Sequence, residues 1–65
     1  MIIERDVWRA AKLLIEQHGV EAPIEAAMRA DEMLDKGDLD GQAVWKAILK
    51  AVIEMVNKEP EGTVH

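Results

Sequence analysis

The sequence predicts an all-α fold, a small domain of three short helices. Apolar residues recur at the 3.6-residue spacing of amphipathic helices, and no stretch alternates apolar and polar residues as a strand does. Glycine and proline interrupt this pattern around residues 19–23 and 37–41. The expected helices span about 4–18, 23–36 and 39–57. They form one domain over residues 1–58, and a flexible, disordered tail is expected at 59–65.

The first helix has a continuous apolar face and ends at a glycine. This face consists of Ile3, Val7, Trp8, Ala10, Ala11, Leu14 and Ile15. Leu13 is an exception, because a rotation of about 100° per residue places it on the polar side, in water in a monomer. Gly19 suits the left-handed conformation that closes a helix, so we expect the helix to end at His18.

The second helix is expected to begin at Pro23, since its missing N–H would have no helical partner at the first position. Glu25 follows in the first turn, where the helix dipole favours a carboxylate. The predicted buried face has small side chains, with Ile24 at its edge. Its members are Ala26, Ala27, Ala30, Met33 and Leu34. Such a face allows a close approach to the third helix, and Gly37 is expected to end the second.

The third helix is apolar over about half of its circumference. The stretch 43–56 contains only three residues that are polar. They are Lys46, Lys50 and Glu54, and their four-residue spacing forms one narrow stripe. A helix with so wide an apolar arc needs neighbours on more than one side. We therefore expect the other two helices to pack against it.

Two residues are candidates for the N-cap of the third helix. Asp38 would cap a helix that begins at Leu39. Alternatively, Asp40 would be the cap, and Leu39 and Val44 would form a hydrophobic staple. We favour Asp38.

The core is expected to be small and aliphatic. A chain of 65 residues buries only about 60% of the surface that its unfolded form exposes. Its residues are 49% hydrophobic, and only two, both Trp, are aromatic. The predicted core residues are Val7, Trp8, Leu14, Leu34, Trp45, Ile48 and Val52. The alternative for each tryptophan is an anchor at a protein interface, where Trp is enriched.

The small core is expected to be shared between two copies. The sequence contains no cysteine, so no disulfide reinforces the fold, and association is the remaining route. Leu13, Leu49 and Ile53 lie at or beyond the edges of the apolar faces. We predict that they form the interface of a homodimer.

The net charge of −5 is concentrated in one part of the chain. Residues 21–40 contain seven acidic and two basic residues, whereas the remainder contains equal numbers of each. Asp31, Glu32 and Asp35 either keep the protein soluble or form a docking surface for a basic protein partner. Because this field repels phosphates, we expect no nucleic-acid partner; a small helical DNA-binding regulator is the alternative function.

Residue types that carry enzymatic chemistry are scarce. The sequence has no Ser, Cys or Tyr, and Thr63 lies in the expected tail. His18 lies on the apolar face of the first helix and is expected to pack its ring against the core and bond the last carbonyls rather than act as a base or ligand. A partial calcium-loop pattern at residues 38–41 fails, because Lys36 and Ala47 occupy its first and last ligand positions. We therefore expect no enzyme, no catalytic residue, no cofactor and no metal site.

No apolar segment is long enough to span a bilayer, and charges occupy the start of the chain, where a signal peptide needs apolar residues. We expect a soluble, cytoplasmic protein without a membrane partner. The predicted function is a non-catalytic protein-interaction module.

Several helix ends and two tryptophans stand out along the chain. They are Trp8, Gln17-His18-Gly19, Ala22-Pro23, Gly37-Asp38, Gly41 and Trp45. In these residues the chain resembles a family of short uncharacterised bacterial proteins, a domain of unknown function with the pattern W…QHG…AP…GD…G…W. The resemblance covers about residues 5–56. It implies a bacterial, intracellular, helical protein and supplies no catalytic residue.

Overall fold

The computed structural model describes residues 4–62, and the side chains of residues 4–57. Its elements are α1 (Glu4–His18), a 3₁₀ turn (Gly19–Glu21), α2 (Ala22–Asp35) and α3 (Leu39–Gly62). No β-strand occurs between residues 4 and 62, so the predicted all-α class is confirmed for this part of the chain. α1 and α2 both contact α3 and also contact each other.

The expected three separate helices form only two uninterrupted helical stretches, 4–35 and 39–62. α1 passes into α2 through the 3₁₀ turn, without a non-helical residue between them. Gly19 has φ 60°, which glycine adopts readily because it has no Cβ. This residue redirects the chain without a loop, and the prediction of three separate helices is therefore wrong at the first junction.

Asp38 ends one helix and begins the next. Its N–H donates to the carbonyl of Met33 at 2.8 Å. The N–H of Gly37, which has φ 79°, donates to the carbonyl of Leu34 at 2.9 Å. The two bonds form a Schellman motif that satisfies the last carbonyls of α2. The Asp38 carboxylate accepts the N–H of Gly41 at 2.8 Å, which confirms Asp38 as the N-cap of α3.

α3 is longer than the sequence predicts. It ends at Gly62 rather than at about residue 57. The apolar repeat ends at Val56, but Lys58 and Glu59, which both have high helix propensity, continue the helix. The tail predicted at 59–65 thus begins inside α3, and its last three residues lie outside the described part of the chain.

Small side chains form much of the core. The buried cluster consists of Val7, Ala11, Leu14, Ala22, Ala26, Ile48, Ala51 and Val52. Val52 is the largest completely buried side chain among those described. Trp45, which the sequence places in the core, is partly buried and packs against the cluster. The alanines of α1, α2 and α3 allow the three helices to approach closely.

Two residues predicted to lie in the core are exposed. Trp8 is 36% exposed, because the buried stripe of α1 runs through Val7, about 100° away around the helix. Leu34 is half-exposed, although it follows Ala30 at four-residue spacing. Each four-residue step drifts about 40° from the buried stripe. Met33 stays closer to the stripe and is partly buried in its place.

Candidate interaction surface

The side of α2 opposite the core carries large apolar side chains. The buried stripe of α2 consists of Ala22, Ala26 and Ala30. Ile24 and Met28 lie midway between these alanines in sequence, and two residues correspond to a rotation of about 200°. They therefore point away from the core, and they are 61% and 51% exposed. We call this side the outer face of α2.

Val20 extends this apolar surface onto the 3₁₀ turn. It precedes Ile24 by four residues and is 90% exposed. Val20, Ile24 and Met28 are named the apolar row below. A group of large apolar side chains in water is typical of a surface that contacts another molecule.

Acidic residues continue the outer face toward the C-terminal end of α2. Asp31 and Asp35 follow Met28 by three and seven residues, a heptad spacing that keeps them on the same side of the helix. Both are exposed, as is Glu32 beside them. The outer face is therefore apolar in its first half and acidic in its second half.

Arg29 on α2 contacts residues of both α2 and α3. The Nε of Arg29 donates to Oε2 of Glu25 at 2.9 Å, one turn earlier in α2. The guanidinium carbon of Arg29 lies 6.0 Å from the centroid of the Trp45 ring, at the outer limit of a cation–π interaction. Arg29 of α2 thus partly covers the ring of Trp45 on α3.

A groove with a volume of about 320 Å³ lies between α1 and α3. Its apolar lining comprises Val7, Trp8, Ala47 and Ala51, and its charged lining comprises Glu4, Lys50 and Glu54. The volume is at the lower end of the range for small-molecule sites, about 300–1,000 Å³. The partly exposed side chain of Trp8 thus lines a surface groove with both apolar and charged walls instead of the core.

The residues predicted to form the dimer interface are not equally accessible. Leu13 on α1 is half-exposed, and Ile53 on α3 is exposed. Leu49, one turn before Ile53, is partly buried and packs against the core. The three predicted acidic residues lie together on α2, as described above. The structure therefore leaves Leu13 and Ile53 available for contact, whereas Leu49 belongs mostly to the packing around the core.

The apolar row is missing from the residues predicted to form a site. A signal for it is present in the sequence. Val20, Ile24 and Met28 recur every four residues, as regularly as the buried alanines Ala22, Ala26 and Ala30. α2 therefore has two apolar sides. The side with the small alanines is buried, and the side with the larger Ile24 and Met28 is exposed to solvent.

The described residues contain no group of three or more His, Asp or Glu side chains placed to hold a metal ion. In the partial calcium-loop pattern, Asp38 caps α3 instead. His18 is exposed at the end of α1, so the prediction that its ring packs against the core is wrong. Among the helices described, none is both long and apolar enough to cross a membrane.

Comparison with known proteins gave no match: no family model, no curated protein and no solved structure matches the chain. The resemblance to a family of short bacterial proteins therefore stays a prediction from the sequence.

Proposed function

We propose that this chain is a non-catalytic, cytoplasmic protein-interaction module that self-associates as a dimer. The observation that supports this proposal is that many large apolar side chains are exposed, while alanines supply five of the nine buried hydrophobic residues in the described part of the chain. The completely buried residues are Ala11, Ala22, Ala26 and Val52. The large apolar residues that are exposed are Trp8, Leu13, Val20, Ile24, Met28, Leu34, Leu39 and Ile53. Side chains of the kind that usually fill a core therefore face solvent in the isolated chain.

The magnitudes favour association. Complete burial of one Val, Leu, Ile or Met side chain contributes about 1.5–3 kcal/mol. A domain of 65 residues has a total stability of about 3–10 kcal/mol. Leu13 and Ile53 are each about half-exposed, so burying both of them in each of two copies contributes about 3–6 kcal/mol before the cost of association. This contribution is of the same order as the stability of the whole fold.

Leu13 and Ile53 are the proposed contact residues of the dimer. They lie on α1 and α3 and are not among the residues that line the groove around Trp8. Leu49, one turn before Ile53 on α3, packs against the core and is only partly accessible for such a contact. A dimer contact at these positions leaves the outer face of α2 free for another partner.

Sedimentation equilibrium over a hundredfold range of concentration tests the proposal. The chain has a mass of 7.3 kDa, and we expect a weight-average mass approaching twice this value in the micromolar range. The double variant Leu13→Glu with Ile53→Glu should sediment as a monomer. Its matched control is Gln17→Glu with Asn57→Glu, which adds the same charge at exposed positions of the same helices. A monomer mass for the unmodified chain at every concentration would overturn self-association.

DNA binding has weaker support. Lys46 and Lys50 are exposed on α3, but Lys50 shares its groove with Glu4 and Glu54, which offset its charge. We expect no gel shift with random-sequence duplex at low salt. A shift that weakens steeply as salt is added would replace the proposal with nucleic-acid binding.

A further inference from the structure

We propose that the outer face of α2 docks an amphipathic helix of another protein, whose apolar side chains cover the apolar row and whose Lys or Arg side chains pair with Asp31 and Asp35. The inference rests on the proposed interaction function, but not on self-association. Val20, Ile24 and Met28 are each more than half exposed, and Ile24 and Met28 lie on the side of α2 opposite its buried alanines. No residue in the described part of the chain buries the apolar row.

The spacing of the outer face fits a helix as its partner. Ile24, Met28, Asp31 and Asp35 recur at intervals of four, three and four residues. This is the heptad spacing along which two helices pack. A helix packed on the outer face would therefore contact two apolar residues and then two acidic residues of α2. The residues at its own heptad seam positions would make these contacts.

A second copy of α2 does not complement this face over its whole length. In a parallel pair, Asp31 and Asp35 would meet their own counterparts, and four carboxylates would repel one another. In an antiparallel pair with full overlap, these carboxylates would lie against Ile24 and Met28 of the second copy. Burying a carboxylate without a cation is strongly unfavourable. The charge pattern therefore favours a different chain.

The same pattern defines the chemistry of the partner. Two apolar residues of the partner helix would cover Ile24 and Met28, and two basic residues would meet Asp31 and Asp35 in a partly solvated seam. Anionic membrane surfaces and nucleic acids are both repelled by these carboxylates. A basic amphipathic helix is the class of partner that satisfies both halves of the face.

Synthetic helical peptides of about three heptads, labelled with a fluorophore, test the inference against the full-length chain. Two peptides carry Leu at two consecutive seam positions and Lys at the adjoining two, in opposite orders, so that both orientations of the partner helix are covered. Reference peptides carry Glu in place of these Lys residues. We expect one basic peptide to bind at least about tenfold more tightly than its reference, and its binding to weaken as salt is added.

The apolar half of the face is tested by the double variant Ile24→Ser with Met28→Ser. Both residues are exposed, so circular dichroism should show unchanged helicity. Binding of the basic peptide should weaken by at least about tenfold. This variant should dimerise to the same extent as the unmodified chain in sedimentation equilibrium, because the proposed dimer contact lies on α1 and α3.

The acidic half is tested by Asp31→Asn with Asp35→Asn, which should weaken peptide binding by about tenfold. The matched control is Asp6→Asn with Glu16→Gln, which changes the net charge equally at exposed positions of α1. The control should bind the peptide as the unmodified chain does. An equal loss in both double variants would show a response to net charge alone and would overturn the inference.

Other outcomes identify other occupants. A monomer mass for the Ile24→Ser, Met28→Ser variant would assign the face to a second copy. Cosedimentation with vesicles of phosphatidylcholine and phosphatidylserine, lost in this variant, would assign the face to a membrane. Either result, or failure of both basic peptides to bind, overturns helix docking. A dimer that binds no peptide contradicts docking alone, whereas a monomer that binds the peptide contradicts self-association alone.

Discussion

The guanidinium carbon of Arg29 lies 6.0 Å from the centroid of the Trp45 ring, so a charged residue of α2 covers the large aromatic residue of α3. Glu25 orients Arg29 through a hydrogen bond of 2.9 Å. Trp45 is only partly buried, so part of its indole ring stays accessible at the surface of the core. The long stem of an arginine can shield such a surface while its charge stays in water.

Replacing Arg29 with Ala should lower the free energy of unfolding by about 0.5–1 kcal/mol, because the ring of Trp45 loses its cover and its cation–π partner. Urea denaturation followed by circular dichroism measures the change. The control is Arg9→Ala, at an exposed position of α1, which should change the free energy by less than about 0.5 kcal/mol. Equal effects of the two variants would show that the contact with Trp45 contributes nothing.

The two tryptophans should differ in their contribution to stability. Trp45→Ala should cost about 2–3 kcal/mol, below the about 3–5 kcal/mol typical of a completely buried aromatic residue, because Trp45 is only partly buried. Trp8→Ala should cost about 1–2 kcal/mol, since Trp8 lines a groove and is more exposed. Urea denaturation of both variants at one protein concentration gives the order. A larger loss at Trp8 would indicate that the ring anchors an interface between copies.

The ends of the helices could be predicted because they depend on local chemistry. Gly19 and Gly37 have positive φ where the sequence places the ends of α1 and α2. Asp38 caps α3 with a side chain that reaches only three residues along the chain. Such features involve groups within about one turn of each other, so they need no knowledge of the packing between helices.

The packing of α2 could be predicted only in part. The sequence correctly predicts that its alanines are buried, but it groups Leu34 with them and places Ile24 only at their edge. Side-chain area alone would favour burial of Ile24 and Met28 over burial of alanines. The close approach of α2 to Ile48 and Val52 decides otherwise, because a dense core accepts only side chains that fit the space available. That space is a property of the assembled helices, and the candidate site on the outer face is its consequence.

The cap of α3 gives a prediction with an internal control. Asp38→Ala should lower the free energy of unfolding by about 1 kcal/mol, since the N–H of Gly41 loses its acceptor. Asp38→Asn retains a side-chain oxygen and should cost less. Asp40→Ala removes the alternative cap and should have a smaller effect than Asp38→Ala. Thermal or urea denaturation of the three variants decides between the caps, and a larger loss at Asp40 would contradict the observed geometry.

The acidic residues of the outer face are poorly placed for the stability of α2. Asp35 is the last residue of the helix, where the helix dipole favours a cation instead of an anion. Asp31 precedes it by four residues, so two like charges share one side of the helix. By contrast, Glu4 and Asp6 lie in the first turn of α1, where a carboxylate is stabilising. The acids of α2 therefore serve some purpose other than holding their own helix together.

Replacing Asp31, Glu32 and Asp35 with Asn, Gln and Asn should therefore raise the free energy of unfolding, by about 0.5–1 kcal/mol at low salt. Urea denaturation at low and high salt measures this, and high salt should remove most of the gain because the charges are exposed and screened. Glu4→Gln with Asp6→Asn, at the favourable end of α1, should have the opposite sign. Reduced stability of the triple variant would mean that the acids support the fold, and their position would then no longer favour a docking role.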